Sequence, residues 1–219
     1  MLFRSARYEV RVRDVGSALN LNRASADQLQ LLMSRLGFDF GTSEQVAQCI
    51  ADWRDEDVMH RSRGAEREDY VAEKRLILPR DGPFQDLPEL LHVMHMTPEI
   101  YDSIAPFLMI DGTVPINVNS APPAVLATLP RMSDAGIAAI MRLRGAGRRI
   151  TSLAQLQTLI GGGGPALTAR QATVDTRSIL VTSTGWNAGG RTPVQIDAVI
   201  DRITNTSLPT TRVQSRRIR

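Results

Sequence analysis

One short motif occurs twice in this chain, and it constrains the fold more than any other feature. Leu19-Asn20-Leu21-Asn22-Arg23-Ala24, with Leu29 following, recurs as Ile116-Asn117-Val118-Asn119-Ser120-Ala121, with Leu126 following. Apolar residues alternating with asparagine have a period of two, which means extended backbone, and asparagine side chains bond readily to nearby main chain. Helix-start signals come next in both copies. Ser25 and Gln28 have the spacing of a capping box, and Pro122 and Pro123 suit a first helical turn, where a missing N–H costs nothing. Two helical units therefore open in the same way.

The pattern on either side of the repeat changes character. Tyr8 to Arg13 alternates apolar with charged residues and reads as a half-buried strand, broken at Gly16. Leu29, Leu32, Met33 and Leu36 share one helical face, closed by Gly37. A second helix is expected from Thr42 or Ser43, carrying Val46, Ala47, Ile50 and Trp53, and then an acidic, irregular stretch runs to Tyr70. Short helices are expected at Asp86 to Met94, Pro98 to Leu108, Ala124 to Leu129, Ser133 to Leu143 and Ser152 to Ile160. After the breaker Gly161 to Pro165, the runs Ser178 to Ser183, Val194 to Ile203 and Thr211 to Ile218 are β-branched and strand-like. One strand first, helices in the middle and three strands last predict an α+β fold, a small antiparallel sheet interrupted by an all-α insertion.

Composition limits the function classes. The 219 residues allow one large core or two small ones, and aromatics at 5% leave that core to Leu, Ile, Val, Ala and Met. The net charge of +3 is carried almost wholly by scattered arginines, with Lys74 the only lysine. That bias looks like base composition rather than a patch selected for nucleic acid. Cys49 is alone, so neither an intrachain disulfide nor a thiolate metal cage can form, and its apolar neighbours point to a buried thiol. No run approaches the length of a membrane span, and Met1 to Arg4 lacks a signal peptide's apolar core, so the chain as written is expected to be soluble.

The second repeat resembles a helix-hairpin-helix module of the kind found in DNA-repair proteins. Those modules hold phosphate on a Gly-x-Gly hairpin. Here the hairpin reads Leu129-Pro130-Arg131-Met132-Ser133, so the scaffold is expected without the phosphate cradle. Carboxylates gather at Asp52, Asp55 and Asp57 and again at Glu66 and Asp69, a supply of oxygens suited to a hard cation such as calcium, though not with EF-hand spacing. The other reading is that they cap helices and pair with Arg54, Arg61, Arg63 and Arg67. His92 and His95 stand one helical turn apart but lack a third ligand. Gly161 to Gly164 has no following Lys-Ser/Thr and is not a phosphate loop. Thr182 to Gly185 forms no nucleophile elbow, so no catalytic residues are assigned.

Several stretches in order resemble the type II secretion system protein K family, the large minor pseudopilins. They are Asp14 to Asn22, Asp52-Trp53-x-Asp55-x-Asp57 with Gly64-Ala65-Glu66 and Tyr70, Leu87 to Leu90, Met96 to Tyr101 with Ala105-Pro106, and Ile116 to Leu126. The resemblance implies a pilin-like sheet (residues 1–18 and 176–219) interrupted by two SAM-like, helix-hairpin-helix-related units (19–110 and 111–175). It implies a non-enzymatic subunit at the tip of a periplasmic pseudopilus, joined to the other minor pseudopilins and serving protein secretion across the outer membrane. It also implies calcium, with Asp52, Asp55, Asp57, Glu66 and Asp69 as the candidate ligands. The family begins with a prepilin leader and an apolar helix that anchors it in the inner membrane. These 219 residues contain no such segment, so membrane association is not carried over. The alternatives are a helix-hairpin-helix DNA-binding protein and, more distantly, a hydrolase using the Asp52 to Asp69 carboxylates.

Overall fold

The alternation at the start of the chain becomes a strand that finds its partners at the far end of the sequence. A computed structural model describes residues 7–112, 115–161, 167–186, 193–203 and 210–218. Strand β1 (Arg7–Asp14) leads through a 3-10 turn (Val15–Ser17) to β2 (Leu19–Asn20), α1 (Ala26–Arg35), α2 (Phe40–Arg54) and α3 (Arg67–Ala72). A 3-10 helix (Leu87–His92), α4 (Pro98–Ile104) and a 3-10 turn (Ala105–Phe107) follow, ending in β3 (Leu108–Met109). The second half has β4 (Ile116–Asn117), α5 (Pro123–Ala127), α6 (Asp134–Gly145), α7 (Leu153–Ile160) and β5 (Ala172–Thr173). Strands β6 (Ser178–Trp186), β7 (Pro193–Ile203) and β8 (Thr210–Ile218) complete it.

The main sheet is antiparallel in the order β1-β6-β7-β8, with Asp14 opposite Ile179 and Arg7 opposite Trp186. The helical block thus leaves and rejoins the sheet at one end of two neighbouring strands. Asp14 fastens that junction. Its carboxylate accepts from Gly16 N at 2.9 Å, Asn117 Nδ2 at 2.6 Å, Ser120 Oγ at 2.8 Å and Thr176 Oγ1 at 2.9 Å. Gly16 has to be small here, because a Cβ would lie 2.9 Å from Pro115 O and 3.0 Å from Asn117 Cβ.

Several boundaries differ from those the sequence suggests. Helix α2 starts at Phe40, since Asp39 rather than Thr42 or Ser43 caps it, accepting from Thr42 N. The expected helix at Asp86 to Met94 is a 3-10 helix, and the one from Pro98 is α-helical only to Ile104. The acidic stretch is not wholly irregular, for α2 runs to Arg54 and α3 begins at Arg67. The paired short strands were not legible. Each repeat motif forms a two-residue parallel ladder with the segment that ends its own unit, β2 with β3 and β4 with β5. Residues 162–166 of the glycine-rich breaker lie outside the described residues.

The two motifs build the same structure. In each, the first asparagine's Oδ1 accepts the N–H of the second, Asn20 from Asn22 at 2.9 Å and Asn117 from Asn119 at 3.0 Å. The second asparagine then pairs its whole amide with one distant residue's N–H and C=O. Asn22 does so with Phe84, and Asn119 with Ile150. An arginine from the end of each unit's second helix closes the turn, Arg54 on the carbonyls of Leu21 and Ala24, Arg144 on those of Ala121 and Ser120. Burial pulls both guanidinium pKa values down, yet both groups remain charged donors.

One apolar core runs through both units, from Leu21, Leu29 and Trp53 to Val118, Leu126, Ile140 and Leu156. Trp53 lies stacked on Phe84 at 6.2 Å and edge-on to Tyr70 at 5.5 Å. A smaller cluster of Val15, Ala18, Met109 and Val199, with Leu180 against it, joins the sheet to the helical block.

Candidate functional site

The acidic segment is shaped by the last turn of α2. That turn carries Trp53 into the core and, one residue earlier, Asp52, which is wholly buried. Asp52 is held by Arg61, whose backbone N–H donates to Oδ2 at 3.1 Å and whose guanidinium also pairs with it. The same guanidinium reaches Asp55 at 2.6 Å. Gly64 passes so close that a Cβ there would fall 1.7 Å from Asp52 Oδ2, which explains why glycine stands before Ala65 and Glu66.

Of the five candidate ligands, the structure brings three together. Asp55, Asp57 and Glu66 each place a carboxylate oxygen within 4.8 Å of the others. Asp52 is committed to Arg61, and Asp69 accepts from Glu66 N at 2.9 Å at the start of α3. Two buried oxygens, Asp55 Oδ1 and Glu66 Oε1, have no hydrogen-bond partner among the described residues. Burial raises the Glu66 carboxyl to about 7, helped by the charges of Asp52, Asp55, Asp81 and Asp57. Burial also raises Asp52, against the pull of Arg61.

Oxygens held by one calcium ion at about 2.3–2.6 Å lie at most about 5 Å apart, so this cluster has the spacing of a shared cation. Carboxylates crowded without one repel each other. The two orphaned oxygens fit the same account, since unpaired buried acceptors are costly. Pairing with arginine covers only part of the expected set. Arg61 pairs with Asp52 and Asp55, Arg63 with Glu44 at 3.0 Å and Arg67 with Asp81 at 3.2 Å. Arg54, expected to pair with a carboxylate, binds carbonyls instead, because the end of α2 aims it at the first motif.

The other sequence candidates do not converge. His92 and His95 are exposed, and the acidic trio is the one metal-type cluster among the described residues. Cys49 is buried and its thiol is pushed up to about 12 by that burial, so it is inert. At the hairpin, Arg131 has φ 62°, in the left-handed region, and donates to Gly161 O at 3.3 Å. A non-glycine residue thus stands in the turn, with its side chain folded onto the protein.

The sheet supplies a second feature. Register puts Tyr8, Val10 and Val12 on one face with Ile179, Val181, Val194 and Ile196. Tyr8 is 77% exposed, Val12 62%, Val194 52% and Val10 51%, and no helix of the described residues covers them. Val199, in the same strand as Val194 and Ile196, pairs with Leu180 and is buried on the opposite side.

Comparisons show what part of the chain is similar to. Residues 12–111 match the family described as type II secretion system (T2SS), protein K. A Klebsiella pneumoniae protein named type II secretion system protein K is 32% identical over 103 residues, 45% of this chain and 32% of that protein. The matched stretch thus spans about a third of that relative's length. A chain in the crystal structure of the GspK-GspI-GspJ complex from the enterotoxigenic Escherichia coli type 2 secretion system has the same fold. The TM-score is 0.69 at 18% identity, covering 97% of this chain and 80% of that one. Among the described residues no helix is long and apolar enough to cross a membrane. Residues 12–111, a little under half of the chain, are thus similar to the type II secretion system protein K family.

Proposed function

We propose that this protein is a minor pseudopilin, a structural subunit rather than an enzyme, at the tip of the type II secretion pseudopilus. The observation that carries this reading is the bare apolar face of the main sheet. A row of exposed apolar side chains marks a surface built to be covered. In this family the sheet is pilin-like, and an apolar N-terminal helix with neighbouring pseudopilins is what covers it. The two units that open with the same asparagine motif are the SAM-like insertion, displayed away from those contacts. The protein is then held at the inner membrane with its globular part in the periplasm and serves protein secretion across the outer membrane.

The partners proposed are GspI-like and GspJ-like minor pseudopilins, since the structurally similar chain stands in a complex with proteins so named. Mixing this chain with those partners tests the assignment of surfaces. Val10→Asp or Val194→Asp should weaken the complex, while Phe40→Asp on the helical block should not. The reverse pattern would make the helical block the binding module.

Calcium is the proposed ligand of Asp55, Asp57 and Glu66, with Asp52 and Asp69 shaping the loop around them. Of these carboxylates only Asp55 has an arginine partner among the described residues, so a bound cation supplies counter-charge to the cluster and holds the end of α2 to the start of α3. At a hundredfold excess over Kd, calcium should stabilise by about 2.7 kcal/mol, roughly 5–10 °C in Tm for a chain of this size. Asp57→Asn and Glu66→Gln should each remove most of that rise. The pH dependence has a definite sign. In chelator, the folded protein retains a proton on Glu66 up to about 7, above the ordinary carboxylate range. This group's contribution to stability therefore falls as pH rises through that window, and calcium should flatten the slope. Identical melts in calcium and in chelator across the window would leave only the arginine pairing.

A further inference from the structure

A groove of about 980 Å³ runs between the first helices of the two repeat units. It is lined by the start of α1 on one side and by the α5–α6 hairpin on the other, and its charged residues are Arg23, Arg131, Arg170 and Arg177 against the single carboxylate Asp27. All five are exposed. Arg23, Arg170 and Arg177 make no ion pair with any described residue. Other arginines, such as Arg61, Arg63, Arg67 and Arg80, are matched to carboxylates. The groove gathers four arginines against one carboxylate.

The walls are fixed rather than fluid. Gln28 Nε2 donates across to Thr128 O at 3.3 Å, Arg35 pairs with Asp134 at 2.5 Å, and Leu19, Ile116 and Leu129 beneath are buried. Such a groove is at the upper end of small-ligand volumes, with room for a short stretch of polypeptide. We propose that it binds an extended, acidic segment of another protein, the carboxylates meeting the arginines and apolar side chains meeting the floor. Arginine is suited to this because its planar fork meets a carboxylate in two parallel bonds. A nucleic acid fits less well. No aromatic residue lines the groove to stack a base, and the adjoining hairpin has Pro130-Arg131-Met132 where a phosphate cradle needs glycine. The inference stands on the charge and shape of the groove and does not depend on the pseudopilin reading.

The test is fluorescence anisotropy of a labelled peptide alternating glutamate with valine, titrated with the full chain. Saturable binding that weakens with salt is expected. The double variant Arg23→Glu/Arg170→Glu should weaken it by about tenfold or more, through lost exposed pairs and new repulsions. Arg148→Glu, outside the groove, should leave it unchanged, and Asp27→Lys should strengthen it. Asp27→Lys decides the matter if the double variant does not fold. Absence of saturable binding, an equal loss with Arg148→Glu, no gain with Asp27→Lys, or displacement of the peptide by an oligothymidine that binds more tightly would each overturn the proposal.

Discussion

Gly64→Ala should destabilise the protein by roughly 3–5 kcal/mol, the combined effect of overpacking and of disturbing a buried charge pair. The new methyl would sit 1.7 Å from Asp52 Oδ2 and 2.7 Å from its Cγ. Asp52 cannot swing away, because it is fully buried on α2 and held by both the backbone and the side chain of Arg61. The loop must move instead, and it carries Ala65, which is buried, and Glu66. The variant should therefore lose stability together with the calcium response proposed for this loop. Gly145→Ala supplies the opposite sign. Nothing lies within 4 Å of a Cβ at Gly145, in the last turn of α6, so alanine should be neutral or stabilise by up to about 1 kcal/mol. Urea unfolding of the two variants separates a specific close approach from a general dislike of side chains at glycine. Equal and small effects would mean that the Asp52 contact relaxes freely.

Asn119→Ala should cost about 3–4 kcal/mol, more than Asn22→Ala at about 2–3, because partly buried backbone groups lose their partners. Asn119 donates to Ile150 O at 2.8 Å and Val174 O at 2.7 Å and accepts from Ile150 N at 2.9 Å. Among the described residues the Asn22 side chain makes only the pair with Phe84, at 3.0 and 2.8 Å. The additional bond ties the second motif to the segment returning to the sheet. Chemical denaturation should rank the variants in that order. Aspartate at either site should be at least as damaging, since it keeps the acceptor but loses the donors and adds a charge. An Asn22→Ala cost equal to that of Asn119→Ala would mean that the Val174 bond adds nothing.

These asparagines mark the boundary between what can be read in a sequence and what cannot. The repeat, the extended entry, the capping box at Ser25 and Gln28 and the strand alternation at Tyr8 to Asp14 all depend on interactions a few residues apart. They are therefore written in local order. The layout of a strand, a helical block and three strands follows from the same local signals, and closing the small sheet then requires β1 to pair with one of the last three strands; that it is β6 came only with the fold. The five acidic residues were visible as a group for the same reason. Their division was not. Asp55, Asp57 and Glu66 converge, Asp52 is sealed against Arg61 and Asp69 caps α3, because the turn of α2 and the close passage of Gly64 set their directions.

Other features existed only after folding. Phe84 and Ile150, the partners of the second asparagines, carry no sequence mark, since a backbone group looks the same at every position. That Val199 is buried while Val194 is bare is not announced by a long β-branched run; the register of Val199 opposite Leu180 decides it. Arg54 and Arg144 serve carbonyls, and Arg23, Arg170 and Arg177 line a groove, although along the chain all five belong to one scattered arginine surplus. The sequence determined the elements and the residue types available to each site, because short-range periodicity and capping suffice for that. Only the tertiary structure decided which charges meet, which face of the sheet stays bare and that two repeats share one core, because those outcomes depend on partners far apart in the chain.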